Sequence, residues 1–158
     1  MQTTSTHSET SVRATDSRPP WVTRVYIVDD HKFFTFALTT LINAEADLTV
    51  CGSGFEQAGV LNDIGQLAPD IVVIDVNLCR QDGLGMAAAL REKAHGVPIV
   101  FVSSLSNPQF EIDCRWLQPC GFVEKTKDPV DIISGIRQTL AKFRLLQSHH
   151  SANPFPPQ

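Results

Sequence analysis

From about residue 24 to residue 146 the chain alternates short apolar runs with amphipathic stretches. RVYIV (24–28), IVVID (71–75) and PIVFVS (98–103) are apolar runs of strand length, as expected of strands buried on both faces of a sheet. LTVCG (48–52) and GFVE (121–124) are shorter runs of the same kind. Between the first two, Phe33, Phe34, Ala37, Leu38, Leu41 and Ile42 recur at helical spacing and predict a helix over 32–45. Further helices are predicted over 55–67, ending before Pro69, and over 84–93. A less regular helical pattern follows Pro108 and stops at Pro119. The last helix opens with Asp128 as N-cap and Pro129 at its first position. It places Ile133, Ile136, Leu140 and Phe143 on one face and reaches about residue 146. Five βα units in succession predict an α/β fold with an open, doubly wound parallel sheet.

The two ends do not share this pattern. Residues 1–21 are polar and close on Pro19-Pro20, and 148–158 are rich in His, Ser and Pro. Both are expected to be disordered, flanking one domain over 22–147. The net charge of −4 gives no general attraction to nucleic acid or anionic membrane. No apolar run approaches the roughly 18–20 residues of a membrane span. The N-terminus has no apolar segment of a secretory signal, so a cytoplasmic protein is expected. Cys51, Cys79, Cys114 and Cys120 are unevenly spaced without a CxxC pair, which fits free thiols better than a disulfide framework or zinc site.

In open α/β sheets ligands bind beyond the carboxyl ends of the strands, and the polar residues of this chain stand there. Asp29 and Asp30 follow strand one, Asp75 ends strand three, Ser103 ends strand four and Lys125 follows strand five. In the order 2-1-3-4-5, strands one and three are neighbours, so three carboxylates meet in one crevice. Like charges so close call for a cation, and a hard divalent ion with oxygen ligands, Mg²⁺ above all, suits them. Lys125 offers a second positive charge for a phosphate oxygen and Ser103 a hydroxyl. A carboxylate nucleophile, a metal, a lysine and a hydroxyl are the requirements of phosphoryl transfer to aspartate.

VDDH (28–31), PDIVVID (69–75), the Asp82-Gly83 turn, Ser103-Ser104 and GFVEK (121–125) together resemble the response-regulator receiver domains of two-component systems. VDDH followed by KFF is most similar to receivers of the NarL/LuxR-type, helix-turn-helix subgroup. The resemblance covers about 23–146 and implies the flavodoxin-like (βα)5 receiver fold. It implies Asp75 as phosphoacceptor, Asp30 as a direct Mg²⁺ ligand, Asp29 as a ligand mainly through water, and Asn77 as a ligand through its backbone carbonyl. Ser103 and Lys125 would grip phosphate, Ser103 and Phe122 would act as the switch, and Asn77 and Leu105 would tune phosphate lifetime. The implied partners are a sensor histidine kinase or phosphotransfer protein. An output partner, or a second copy of the chain, would read the face built from the fourth helix, fifth strand and last helix. The sequence departs from the family pattern at Cys79, where proline is usual, at Thr126, and at Pro119-Cys120.

Plainer readings stand beside these. The acidic pair alone is compatible with helix capping, Lys125 with a surface lysine, and Phe122 with ordinary core. His31 is either a zinc ligand or a solvent-facing first-turn residue, the second being the commoner. Cys79 could sense oxidation only with an activating base nearby. A haloacid-dehalogenase-like phosphatase also uses an aspartate nucleophile and Mg²⁺ but wants a second aspartate where this chain has Asn77. A receiver-fold binding module independent of phosphorylation is the other alternative. The residues after Leu146 are too few for a helix-turn-helix domain of roughly 60, so no nucleic-acid binding by this chain is expected. The reading is a phosphorelay receiver that catalyses only its own phosphorylation and dephosphorylation.

Overall fold

The computed structural model describes residues 19–78, 81–93, 96–104, 114–125 and 128–151. Five parallel strands form one sheet: β1 (Thr23–Val28), β2 (Leu48–Gly54), β3 (Ile71–Asp75), β4 (Ile99–Ser103) and β5 (Cys120–Glu124). Their spatial order is 2-1-3-4-5, as expected. Helices α1 (Lys32–Ala44), α2 (Gln57–Leu67) and α3 (Gly83–Lys93) follow the first three strands. A short hairpin pairs Asn77–Leu78 with Gln81–Asp82 ahead of α3. Of the helix predicted after Pro108, a single 3-10 turn at Cys114–Leu117 falls among the described residues; the rest, including Leu105, lies outside them.

The apolar runs are buried on both faces because side chains alternate across each strand. Val25 and Ile27 of β1, Val73 of β3, and Val100 and Val102 of β4 face Leu38 and Ile42 of α1 and Ile132, Ile133, Ile136 and Leu140 of the last helix. Tyr26, Val28, Val72, Ile74, Ile99 and Phe101 face Val60 and Ile64 of α2 and Met86, Ala87 and Leu90 of α3.

Three expectations need correction. The apolar repeat of α1 does not all turn inward: Leu38 and Ile42 are buried, whereas Phe33 is 93% exposed and Leu41 37%. Only about a third of a helix can face one sheet, and here that face is Leu38 and Ile42. Strand β2 runs on to Gly54, because Tyr26 lies flat against the glycines: a Cβ at Gly52 would stand 2.8 Å from the Tyr26 ring and one at Gly54 2.8 Å from its hydroxyl. The last helix, Pro129–Ser151, continues past residue 146 into the segment expected to be disordered. Its start is as expected, with Asp128 Oδ1 accepting from the Val130 N–H at 3.1 Å.

Two side chains fasten the periphery. The Tyr26 hydroxyl donates to Asp63 Oδ2 of α2 at 2.8 Å, and burial together with that carboxylate pushes the phenol's pKa up. The half-buried guanidinium of Arg91, on α3, donates to the carbonyls of Val97, Leu117 (Nη2, 2.7 Å) and Pro119 (Nη2, 3.1 Å), holding the backbone on either side of β4 and ahead of β5. Cys51 and Cys120 are free thiols, and burial pushes the Cys51 thiol's pKa up; Cys79 lies outside the described residues.

Candidate functional site

The strands deliver their polar residues to one edge because they end in step. Val28 pairs with Ile74, Asp75 with Val102 and Ser103 with Glu124. Backbone hydrogen bonds continue past the strand ends, from Asp29 N to Gly54 O (3.1 Å), Val76 N to Val102 O (2.9 Å) and Lys125 N to Ser103 O (2.7 Å). The main chain therefore fixes Asp29, Asp75 and Lys125 before their side chains interact.

Those side chains converge. Lys125 Nζ lies 2.6 Å from Asp29 Oδ2 and 2.8 Å from Asp75 Oδ2, with both carboxylates 2% exposed and the lysine 9%. Asp30, 15% exposed, completes the acidic set. One ligand atom from each of Asp29, Asp30, His31 and Asp75 can be chosen so that all four lie within 4.8 Å of one another. Three carboxylates and one ammonium leave two negative charges, which a divalent cation would neutralise. The residues fit such an ion: Asp29, Asp30 and Asp75 supply hard oxygen donors where Lys125 alone does not balance the charge.

Ser103 is buried (3%), and the Asn77 side-chain amide donates to its hydroxyl at 3.4 Å. Asn77 is exposed, and its backbone N–H donates to Asp75 Oδ1 at 3.1 Å. Phe122 is half-buried on β5, packed against the α2–α3 side of the core. The geometry thus gathers Asp29, Asp30, Asp75 and Lys125, with Ser103 and Asn77 beside them and Phe122 on the strand that carries Lys125. Leu105 lies outside the described residues.

Three residues near the site were not singled out by the sequence reading, or were read differently. Phe34, read only as part of the helical repeat of α1, lies under Lys125 with Nζ 4.2 Å from its ring centroid, a cation–π contact. Its signal is position: four residues after Asp30, it sits one helical turn above the strand ends. Gly83 opens α3 so close to β3 that a Cβ there would stand 2.5 Å from the Asp75 carbonyl oxygen. His31 is 61% exposed, as a first-turn residue would be, yet its ring nitrogen Nδ1 turns inward to the carboxylates, 3.2 Å from Asp29 Oδ1.

Comparison with known proteins agrees with this architecture. Residues 25–137 match the response regulator receiver domain family. A protein-glutamate methylesterase/protein-glutamine glutaminase 3 of Burkholderia lata is 33% identical over 113 residues, 72% of this chain and 31% of that protein. The chain spans about a quarter to two fifths of the length of the curated relatives it matches, so no activity is carried over from the remainder of those proteins. A two-component response regulator of the LuxR family from Aurantimonas sp. SI85-9A1 superposes with a TM-score of 0.72 at 22% identity, covering 77% of this chain and 86% of that one. A DNA-binding response regulator of the LuxR family from Staphylococcus aureus gives 0.67 at 18% identity, covering 75% and 99%. At such identities these structures show the shared fold alone. Among the described residues no helix is long and apolar enough to cross a membrane. With its five-stranded sheet, its acidic pocket at the strand ends and the match over 25–137, the chain belongs to the response regulator receiver domains of two-component signalling.

Proposed function

We propose that Asp75 accepts a phosphoryl group in a Mg²⁺-dependent reaction and that the chain works as a phosphorylation-dependent protein-interaction switch. The observation that carries this reading is the buried Asp75 carboxylate, 2.8 Å from Lys125 Nζ and beside two further carboxylates. The donor is a phosphohistidine of a sensor kinase or phosphotransfer protein. An oxygen of Asp75 attacks phosphorus, forming a P–O bond as the P–N bond breaks and its electron pair returns to the histidine. Mg²⁺, when bound, supplies positive charge to the phosphoryl oxygens. Asp30 and Asp75 would hold it directly, Asp29 mainly through water, and the Asn77 carbonyl would complete the protein's share.

Lys125 leaves its partner Asp75 for a phosphoryl oxygen, keeping its ammonium over Phe34. The Ser103 hydroxyl donates to another phosphoryl oxygen, drawing the end of β4 inward. Phe122, half-buried before phosphorylation, becomes buried after it. The receptor face is that of β5, the last helix and the segment between β4 and β5, read by an output partner or a second copy of the chain. The test is incubation with acetyl phosphate or phosphoramidate and Mg²⁺, followed by intact-mass measurement. One added phosphoryl group is expected, and none in Asp75→Asn. Undiminished labelling of that variant would refute the assignment.

A further inference from the structure

Helix α1 buries Leu38 and Ile42 against the sheet, yet its opposite face is uncharged and largely apolar. Phe33, Phe36, Ala37, Thr40, Leu41 and Ala44 are all exposed, and their spacing of i, i+3, i+4, i+7, i+8 and i+11 sets them in one stripe. Phe33 is 93% exposed and Phe36 74%. Lys32 is the only charged residue of the helix, and it lies outside the stripe. Leu38 and Ile42 are the buried residues of α1, so core packing leaves these six unused. The two phenylalanines alone leave on the order of 300 Å² of apolar surface in water, at about 200 Å² for an aromatic side chain. Contiguous apolar patches of that size mark contact surfaces.

We propose that this face of α1 is the contact surface for a second copy of the chain, with the two helices antiparallel about a two-fold axis. The side chains are graded so that the stripe complements its own reverse. An antiparallel crossing midway between Phe33 and Ala44 sets Phe33 opposite Ala44 of the second copy, Phe36 opposite Thr40, and Leu41 opposite Ala37. Each large side chain meets a small one, and each pairing occurs twice, as an isologous contact requires. A parallel crossing would bring Phe33 against Phe33 and Ala44 against Ala44, crowding one end and leaving a gap at the other. A partner recognised by ion pairs finds no charge in the stripe. The six positions of two copies together bury on the order of 1,000 Å², the lower limit for a specific interface. The contact is therefore weak and reversible, formed at about micromolar concentration or above. It stands apart from the phosphorylation reading and uses none of the residues of β5 and the last helix.

The experiment is sedimentation equilibrium of the unphosphorylated full chain, from about micromolar to millimolar concentration. The variants are Phe36→Thr, Thr40→Phe, the two combined, and Gln138→Lys as a control beside Phe122 and Val123 on the other face. All three positions are exposed, so none of the substitutions unpacks the core. Wild type is expected to follow a monomer–dimer equilibrium. Phe36→Thr and Thr40→Phe should each weaken it by about tenfold or more, since each change counts twice across the two-fold axis. The double variant exchanges large for small and should recover wild-type affinity to within about threefold. Gln138→Lys should leave it unchanged. Two copies of net charge −4 repel, so added salt should keep the dimer as strong or strengthen it. A wild type that stays monomeric throughout would give the face to another protein and overturn the proposal. A dimer that survives Phe36→Thr, that is lost in Gln138→Lys, or that dissociates with salt would overturn it equally. Single variants that weaken the dimer without recovery in the double would overturn the antiparallel pairing.

Discussion

Replacing Lys125 with methionine removes one positive charge from a pair of buried carboxylates, Asp29 and Asp75, and changes little else. Methionine keeps an unbranched stem and can set its sulfur against the Phe34 ring, where Nζ now lies at 4.2 Å. What is lost is the bridge at 2.6 Å to Asp29 and 2.8 Å to Asp75, both carboxylates 2% exposed. At such burial salt and water screen little. Breaking a buried pair by deleting one partner costs about 3–5 kcal/mol, because the remaining charge is left without compensation. For a domain of this size that corresponds to a fall in Tm of roughly 10–15 °C. Urea titration in the presence of a chelator, followed by circular dichroism, gives the free energy without metal stabilisation. The same substitution in an Asp29→Asn background should cost less by about 1–3 kcal/mol, since one of the two stranded carboxylates is already gone. A loss below about 1 kcal/mol, or an equal loss in both backgrounds, would refute the account of Lys125 as the internal counter-charge of the pocket.

Asp30→Ala should weaken Mg²⁺ binding more than Asp29→Ala, by about tenfold, because a direct ligand is lost rather than one acting through water; equal affinities by calorimetry would contradict this. Gly83→Ala should cost about 1–3 kcal/mol by overpacking and slow labelling by acetyl phosphate, since its Cβ meets the Asp75 carbonyl at 2.5 Å and Val76 Cα at 2.9 Å. Arg137→Ala removes a pair with Asp47 Oδ1 and Glu45 Oε2, each at 2.6 Å, for an exposed contribution of about 0.5–1 kcal/mol at neutral pH. The hydrogen bond from Arg137 holds the Asp47 carboxyl below its ordinary range. That stabilisation is present above the unfolded carboxylate pKa of about 3.9 and is lost as pH falls through the lower folded value. Wild type and Arg137→Ala should thus converge in urea midpoint as pH drops below about 4, and a constant difference down to pH 2 would contradict it.

The sheet was legible because its strands are buried on both faces: IVVID and PIVFVS contain no polar residue until the last position, where chemistry begins. The acidic pocket was legible for the same reason, since a polar residue at the end of a buried run has one place to go. What the pattern could not give is orientation on the helices. Phe33 and Phe34 are adjacent apolar residues, and one is 93% exposed while the other supports Lys125. Which of them turns inward depends on how α1 packs against β2 and the last helix, a tertiary matter absent from spacing. The predicted strand stopped at Gly52, two residues short, because the apolar run ends there; Gly52 and Gly54 leave room for Tyr26, which the run does not show. His31 was read by residue type as a surface group; the direction of its Nδ1 comes from the turn between β1 and α1.

The sheet also partitions the apolar interior. Neighbouring residues along one strand, Ile99, Val100, Phe101 and Val102, belong alternately to two separate clusters, one under α2 and α3, the other under α1 and the last helix. A change of volume at Val100 must be absorbed by Ile136 or its neighbours, and a change at Phe101 by Leu90 or its own, because packing strain passes between touching side chains. Pairs drawn from opposite clusters should behave additively, and pairs within one should compensate. Evolution can accordingly revise either half of the interior at its own pace. The acidic pocket rests on the strand ends common to both halves, where drift in either is felt only through the backbone.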